Sequence, residues 1–136
     1  EKYGYPGMEI FQHISDNKMI SIPNYSKTNV LYTGTHDNNT IMGWFNNDLT
    51  KTKQSQVVEL FRNNNNVNWE IIRLVLKSNS NTVIIPLQDI LGFDSKSRMN
   101  IPGTANGNWT WRFTQNMISN AITDKMKELT HNYNRN

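Results

Sequence analysis

An α/β fold built on a parallel sheet is what this sequence predicts, and three observations predict it. Three short apolar runs (MEIFQHI, NVLYT and TVII) read as strands, and the last two are separated by stretches whose apolar residues recur at helical spacing. Strands that alternate with helices pair in parallel through right-handed crossovers. The second run passes directly into YTGTHDNNT, a polar cluster at the carboxyl end of a buried strand, where α/β proteins place their chemistry. Three strands make a poor sheet alone. They make sense as the last part of a (β/α)8 barrel.

The elements follow in order. MEIFQHI, residues 8–14, reads as the first strand, after the turn signal YPG at 5–7. A polar loop with Pro23 and Asn24 leads to the second strand, 29–33. After Asp37 the pattern turns helical, with Ile41, Trp44 and Phe45 at i, i+3 and i+4. Amphipathic stretches follow at 51–62 (Val57, Val58, Leu60, Phe61) and 69–77 (Ile71, Ile72, Val75, Leu76). The third strand is 82–85, and a short helical turn spans 86–91. Residues 94–108 are polar and carry glycine and proline. A loop of that length in a compact domain is functional or disordered. Trp109, Trp111 and Phe113 alternate after it. A final helix is expected over 115–133, with Ile118, Ile122, Met126 and Leu129 on one face and a fraying end, HNYNRN. No repeat or linker is visible, so 1–136 reads as part of a single domain.

Composition narrows the function classes. A chain of 136 residues buries about two thirds of its unfolded surface, enough for a real core. No apolar run approaches the ~18 residues of a membrane span, and EKYGYPG does not look like a signal peptide. The chain begins with Glu1 rather than Met, which hints at a processed chain or a fragment. With no cysteine there are no disulfides, thiol nucleophiles or thiolate metal sites, a usage that fits a cytoplasmic protein. The formal charge of +3 is small, and acids are scattered among the bases, so nucleic acid is not an expected partner. Asparagine makes up about one residue in six, which devalues any isolated Asn as a clue.

Taken alone, Asp37 fits two roles. Placed before Asn38, Asn39, Thr40 and a helical run, it suits a helix N-cap. Placed beside His36 at a strand end, it suits a site. His36 alone would be a structural, hydrogen-bonded histidine.

Four stretches decide between these readings: YPGMEIFQ, VLYTGTHDNNTIMGWF, VIIPLQDILGFDSKSRMNIPGTANGNWTWRF and MKELTHNYNR. Together they resemble the 4-α-glucanotransferase family, also called amylomaltase or disproportionating enzyme, in the family's own order and over nearly the whole chain. The resemblance implies the C-terminal part of a (β/α)8 barrel, strands six to eight plus the closing helix. It implies a retaining transfer of α-1,4-glucan segments between maltooligosaccharides, without metal or cofactor. Such chemistry needs a nucleophilic carboxylate and an acid/base carboxyl about 5–5.5 Å apart. In the family both come from earlier strands, and neither motif is present here. What is present is a third carboxylate. The resemblance maps it onto Asp37, which would bond the sugar hydroxyls in the −1 subsite and oppose the positive charge of an oxocarbenium-like state. His36 would bond the same sugar. Thr33, Gly34 and Thr35 would let the backbone approach substrate and hold the pair in register.

Other residues carry weaker expectations. Asp16 is a candidate for an outer sugar subsite. Asn100, in RMNIPGTANGNW, is a candidate for a sugar-hydroxyl contact, and Trp109 for stacking on a sugar face. Asp89 is expected to stabilise a loop, Gly103 and Gly107 to set turns, and Trp44, Trp69 and Trp111 to pack in the core. His13 stands where the family more often has an aromatic residue. The implied partners are starch- or glycogen-derived α-1,4-glucans and the N-terminal part of the same barrel. Without that part the chain is expected to be insoluble, partly folded or inactive.

Two rivals predict different things. A metal-dependent phosphohydrolase would use the His–Asp pair as ligands, but beyond His36 the chain offers only His13 and His131, the latter in the tail. A non-catalytic carbohydrate-binding or interaction module would use the four Trp and five Tyr for stacking, and it predicts a β-rich domain.

Overall fold

The computed structural model describes residues 3–13, 26–62 and 66–135 of the chain. Three strands, β1 (Met8–Ile10), β2 (Val30–Tyr32) and β3 (Thr82–Ile84), form a parallel sheet in the order β1-β2-β3. The register aligns Met8 with Val30 and Thr82, Glu9 with Leu31 and Val83, and Ile10 with Tyr32 and Ile84. The expected first strand is shorter than its apolar run. It stops at Ile10, because Phe11–His13 wind into a 3-10 turn that drops Phe11 into the core. Ile14 lies outside the described residues.

Helix α1 (Ile41–Gly43) is capped by the Thr40 hydroxyl, which accepts the Gly43 N–H at 3.0 Å. Asp37 is therefore not the N-cap. The helix continues as a wider π turn, Trp44–Asp48, in which the Leu49 N–H reaches back five residues to the Trp44 carbonyl. Helix α2 (Lys51–Val58) is capped by Thr50 and ends earlier than its apolar pattern, leaving Leu60 and Phe61 in the turn beyond.

Helix α3 (Val67–Leu76) departs from the amphipathic reading, because it is buried on nearly every side. Ile71, Ile72 and Val75 are fully enclosed, each contributing about 1.5–3 kcal/mol by burial. Its polar residues are buried as well, and each is bonded. Arg73 Nε meets Glu70 Oε2 at 2.7 Å, and its Nη2 donates to the Leu60 carbonyl at 3.0 Å. The Asn68 amide donates to the Asp89 carbonyl at 3.0 Å. The core comprises Phe11, Leu31, Ile41, Trp44, Val57, Ile71, Leu74 and Val75, with the Phe11 and Trp44 rings edge to face at 5.7 Å.

After β3, Pro86 leads into the single-turn helix α4 (Leu87–Ile90). The expected last helix is interrupted. Gln115–Met117 make a 3-10 turn, and α5 (Asn120–Asn132) starts afresh behind Ser119, whose side chain accepts the Ile122 N–H. One face of α5 lies against α3, with Lys125 Nζ 4.5 Å from the centroid of the half-buried Trp69 ring. The tail does not fray as expected. Arg135 donates to the carbonyls of Leu76, Ser78 and Ser80, satisfying the end of α3 and pinning the chain terminus to it.

Among the described residues, the sheet is covered on one face only. Leu31 and Val83 point into the helical core. On the other face Met8, Ile10, Tyr32 and Ile84 line an open cavity of about 590 Å³, with Met8 62% and Ile84 43% exposed. Parallel sheets are ordinarily covered on both faces. Among the described residues, β1 and β3 each also keep one edge without a strand partner. Three strands of three residues beside these helices do not make the β-rich domain that a carbohydrate-binding module predicts. Among the described residues, no helix is long and apolar enough to cross a membrane.

Candidate active site

The polar end of the cavity is built by the loop joining β2 to α1. Its first residue turns inward. Thr33 is fully buried, and its hydroxyl donates to Asp89 Oδ2 at 2.6 Å, so it faces the helices rather than the site. A Cβ at Gly34 would lie 2.6 Å from Gln12 Nε2, so a side chain there would displace that amide. That amide crosses the loop to donate to the Asn39 carbonyl at 2.7 Å. Asn38 Oδ1 accepts both the N–H and the hydroxyl of Thr35 at 2.8 Å, closing a local turn. Its Nδ2 lies 2.9 Å from His13 Nε2. The turn leaves His36 and Asp37 at the crest, their side chains 55% and 50% exposed, with His36 Nε2 3.4 Å from Asp37 Oδ1.

The long loop after α4 comes back over this crest. Asp94 caps a 3-10 turn at Ser95–Ser97, and Gln88 holds the Ser97 carbonyl. Beyond it, three contacts bind the two loops together. Arg98 Nη2 donates to the Asp37 carbonyl at 3.0 Å, the Asn100 N–H donates to the His36 carbonyl at 3.1 Å, and Asn100 Nδ2 donates to Asp37 Oδ1 at 2.6 Å. Asn108 closes the loop on itself by accepting the Ile101 N–H at 2.9 Å. Gly103 and Gly107 take positive φ, as expected of turn-setting glycines.

Trp109 also has a positive φ, at 60°, a conformation that strains a bulky residue. Its backbone N–H is fixed to the Met99 carbonyl at 2.6 Å, and its half-exposed ring sits 5.1 Å from the His36 ring, tilted by 36°. The expectation that Trp111 packs in the core fails. It is half-buried, in a trio with Phe93 and Phe113 outside the main core. Trp44 is a core residue, as expected.

Of the sequence-predicted residues, His36, Asp37, Asn100 and Trp109 therefore come together at one crest. Asp16 lies outside the described residues. Three contributors escaped the sequence reading: Arg98, Gln12 and Asn38. Arg98 stands two residues before Asn100 in the same quoted stretch, and Asn38 was hidden by the general excess of asparagine. Among the described residues, no group of three or more His, Asp or Glu side chains could hold a metal ion.

The loop and its surroundings can be set beside known proteins. Residues 1–118 match the family model described as 4-alpha-glucanotransferase. This chain belongs to the 4-alpha-glucanotransferase family. It is 39% identical to the 4-alpha-glucanotransferase of Clostridium butyricum over 140 residues, covering 99% of this chain and 29% of that protein. It is 35% identical over 131 residues to the Thermus thermophilus protein of the same name. Its fold superposes on an amylomaltase from Streptococcus agalactiae, solved in complex with acarbose, with a TM-score of 0.89 and 34% identity, covering 98% of this chain and 28% of that one. The chain thus spans less than a third of the length of the curated relatives it matches.

Proposed function

We propose that this chain is the C-terminal part of a (β/α)8 barrel, strands six to eight with the closing helix, and that its function is 4-α-glucan transfer exercised together with the preceding part of the barrel. The observation that carries this reading is the one-sided sheet. Among the described residues, the sheet keeps an exposed apolar face and two open strand edges, which call for the remaining strands to close the barrel. The cavity over that face runs directly up to His36 and Asp37. Residues 1–136 are then part of one catalytic domain, not a domain of their own.

In this reading Asp37 is the carboxylate that stabilises the transition state. Asn100 holds one of its oxygens, Arg98 holds its carbonyl, and the second oxygen is left to face a sugar. Bonds to ring hydroxyls strengthen as the ring flattens, and the negative charge opposes the developing positive one. His36 bonds the same sugar, and Trp109 offers a flat apolar face beside it. Asp16 contributes to an outer subsite. The nucleophile and the acid/base come from the other part of the barrel. The substrates are maltooligosaccharides or starch- and glycogen-derived α-1,4-glucans.

The test is incubation of the purified chain with maltotriose, with and without the corresponding N-terminal portion of the Clostridium butyricum relative. Glucose and longer maltooligosaccharides are followed. Transfer only in the mixture is the expected result. Transfer by the chain alone would place the nucleophile within it and refute this division of roles. No transfer in either tube would refute the claim that this chain completes a working site.

A further inference from the structure

The loop that carries His36 and Asp37 begins at Thr33 and ends at Ile41, and both ends are held by one side chain. Asp89 Oδ2 accepts the Thr33 hydroxyl at 2.6 Å, and Asp89 Oδ1 accepts the Ile41 N–H at 2.8 Å. The carboxylate thereby caps the first amide of α1 and anchors the side chain of the first residue beyond β2, whose N–H is held by the Ile84 carbonyl. Its own backbone is fixed in turn, because Asn68 of the buried helix α3 donates to the Asp89 carbonyl at 3.0 Å. The route from the core of the molecule to the crest of the site is continuous.

Asp89 is an unusual group to place there. It is 1% exposed, and among the described residues no cation lies within ion-pair distance of it. Burial without a cation pushes its carboxyl up to about 6, with the Thr33 and Ile41 bonds pulling the other way. A buried, unpaired carboxylate opposes folding, and such departures from good packing concentrate where function needs them. A side chain with two polar atoms in a fork holds both ends at once, and so fixes the distance between them.

We infer that Asp89 is a positioning residue for the transfer reaction, clamping residues 33 and 41 so that the loop between them holds Asp37 in place. The inference rests on the role proposed above for Asp37. Because Asp37 acts as charge develops on the sugar, its misplacement lowers kcat more than it raises KM.

The experiment uses the assembled protein and four variants: Asp89→Ala, Asp89→Asn, Asp37→Asn, and Asp37→Asn with Asp89→Ala. Asp89→Ala is expected to lower kcat by about ten- to a hundredfold, with KM moving less than about threefold. Asp89→Asn restores most of the rate, since its oxygen accepts the Ile41 N–H and its amide donates to the Thr33 hydroxyl. In the Asp37→Asn background, Asp89→Ala costs less than about twofold more, because the group it positions is already disabled. Hydrogen exchange supplies a readout independent of activity. Asp89→Ala should accelerate exchange across 33–41 while α3 stays protected. Unchanged exchange in that segment, or equal rate losses in both backgrounds, would overturn the inference. Intact transfer by Asp37→Asn would instead refute the role of Asp37, and the exchange data would then judge the clamp separately.

Discussion

Two carboxylates less than a loop apart live in opposite environments. Asp37 has half its side chain in solvent, an Asn amide on one oxygen and a histidine beside it. Asp89 is sealed beneath, with both oxygens occupied by internal donors and its titration pushed up to about 6. The difference separates two tasks. The exposed group keeps an open acceptor for a ligand, which a fully satisfied carboxylate cannot do. The buried group keeps none, so all of its bonding serves to fix the chain. A loop carrying both tasks on one residue would have to loosen its own anchor to bind substrate.

The largest expected effect comes from removing the charge of the exposed member alone. Asn in place of Asp37 retains an oxygen for the Asn100 amide, so the loop should keep its shape. Transfer in the assembled protein should nevertheless fall by about 10²–10³, or roughly 3–4 kcal/mol in the barrier. Steady-state rates on maltotriose measure it. A loss of less than about threefold would mean that Asp37 serves only as a hydrogen-bond acceptor.

Beyond its effect on rate, the buried member should show itself in the pH dependence of stability. Its ordinary pKa is 3.8, and in the folded protein it is about 6. Below 3.8 it is neutral in both folded and unfolded chains, and burial carries no charge penalty. As pH rises from about 4 to 6, the unfolded chain ionises first and the folded state loses stability. Above 6 the loss is complete, about 3 kcal/mol. Asp89→Asn removes this dependence. Thermal melts of the assembled wild type and the Asn variant, taken from pH 4 to 7, should diverge over that window, with the variant gaining relative to wild type as pH rises. Parallel curves would contradict the burial.

This contrast also shows what was legible in the sequence. The parallel pairing of the second and third strands was readable because helical periods separate their two apolar runs. The candidate site was legible as a cluster, because VLYTGTHDNNTIMGWF and RMNIPGTANGNW are long, specific strings, and His36, Asp37, Asn100 and Trp109 do meet. What period and motif could not show was direction. Thr33 looks like a small residue facing substrate, but strand alternation sends it inward to Asp89. The helix α3 reads as amphipathic from the spacing of Ile71, Ile72, Val75 and Leu76, yet its polar residues Asn68, Glu70 and Arg73 are buried too, bonded to distant backbone and to each other. Arg135 reads as a polar tail, and only the folded chain brings the end of α3 to it. In each case the missing information is a partner far away in sequence.

The smallest effect concerns how the crest is finished. Trp109 holds φ at 60° while its ring covers His36. Two truncations separate the ring from the strain. Trp109→Ala loses the ring and keeps the unfavourable conformation, whereas Trp109→Gly loses the ring and relieves the conformation. The Gly variant should therefore be more stable than the Ala variant by about 1 kcal/mol, the reverse of the usual order in regular structure. If the ring receives the sugar as proposed, both should raise KM for maltotriose by about three- to fivefold with little change in kcat, because such a contact is the same in ground and transition states. Denaturant midpoints and initial rates check the two halves. If Ala proved the more stable, Trp109 would not be held under strain. If kcat fell with KM unchanged, the ring would belong to the machinery that orients Asp37 rather than to the face that receives the sugar.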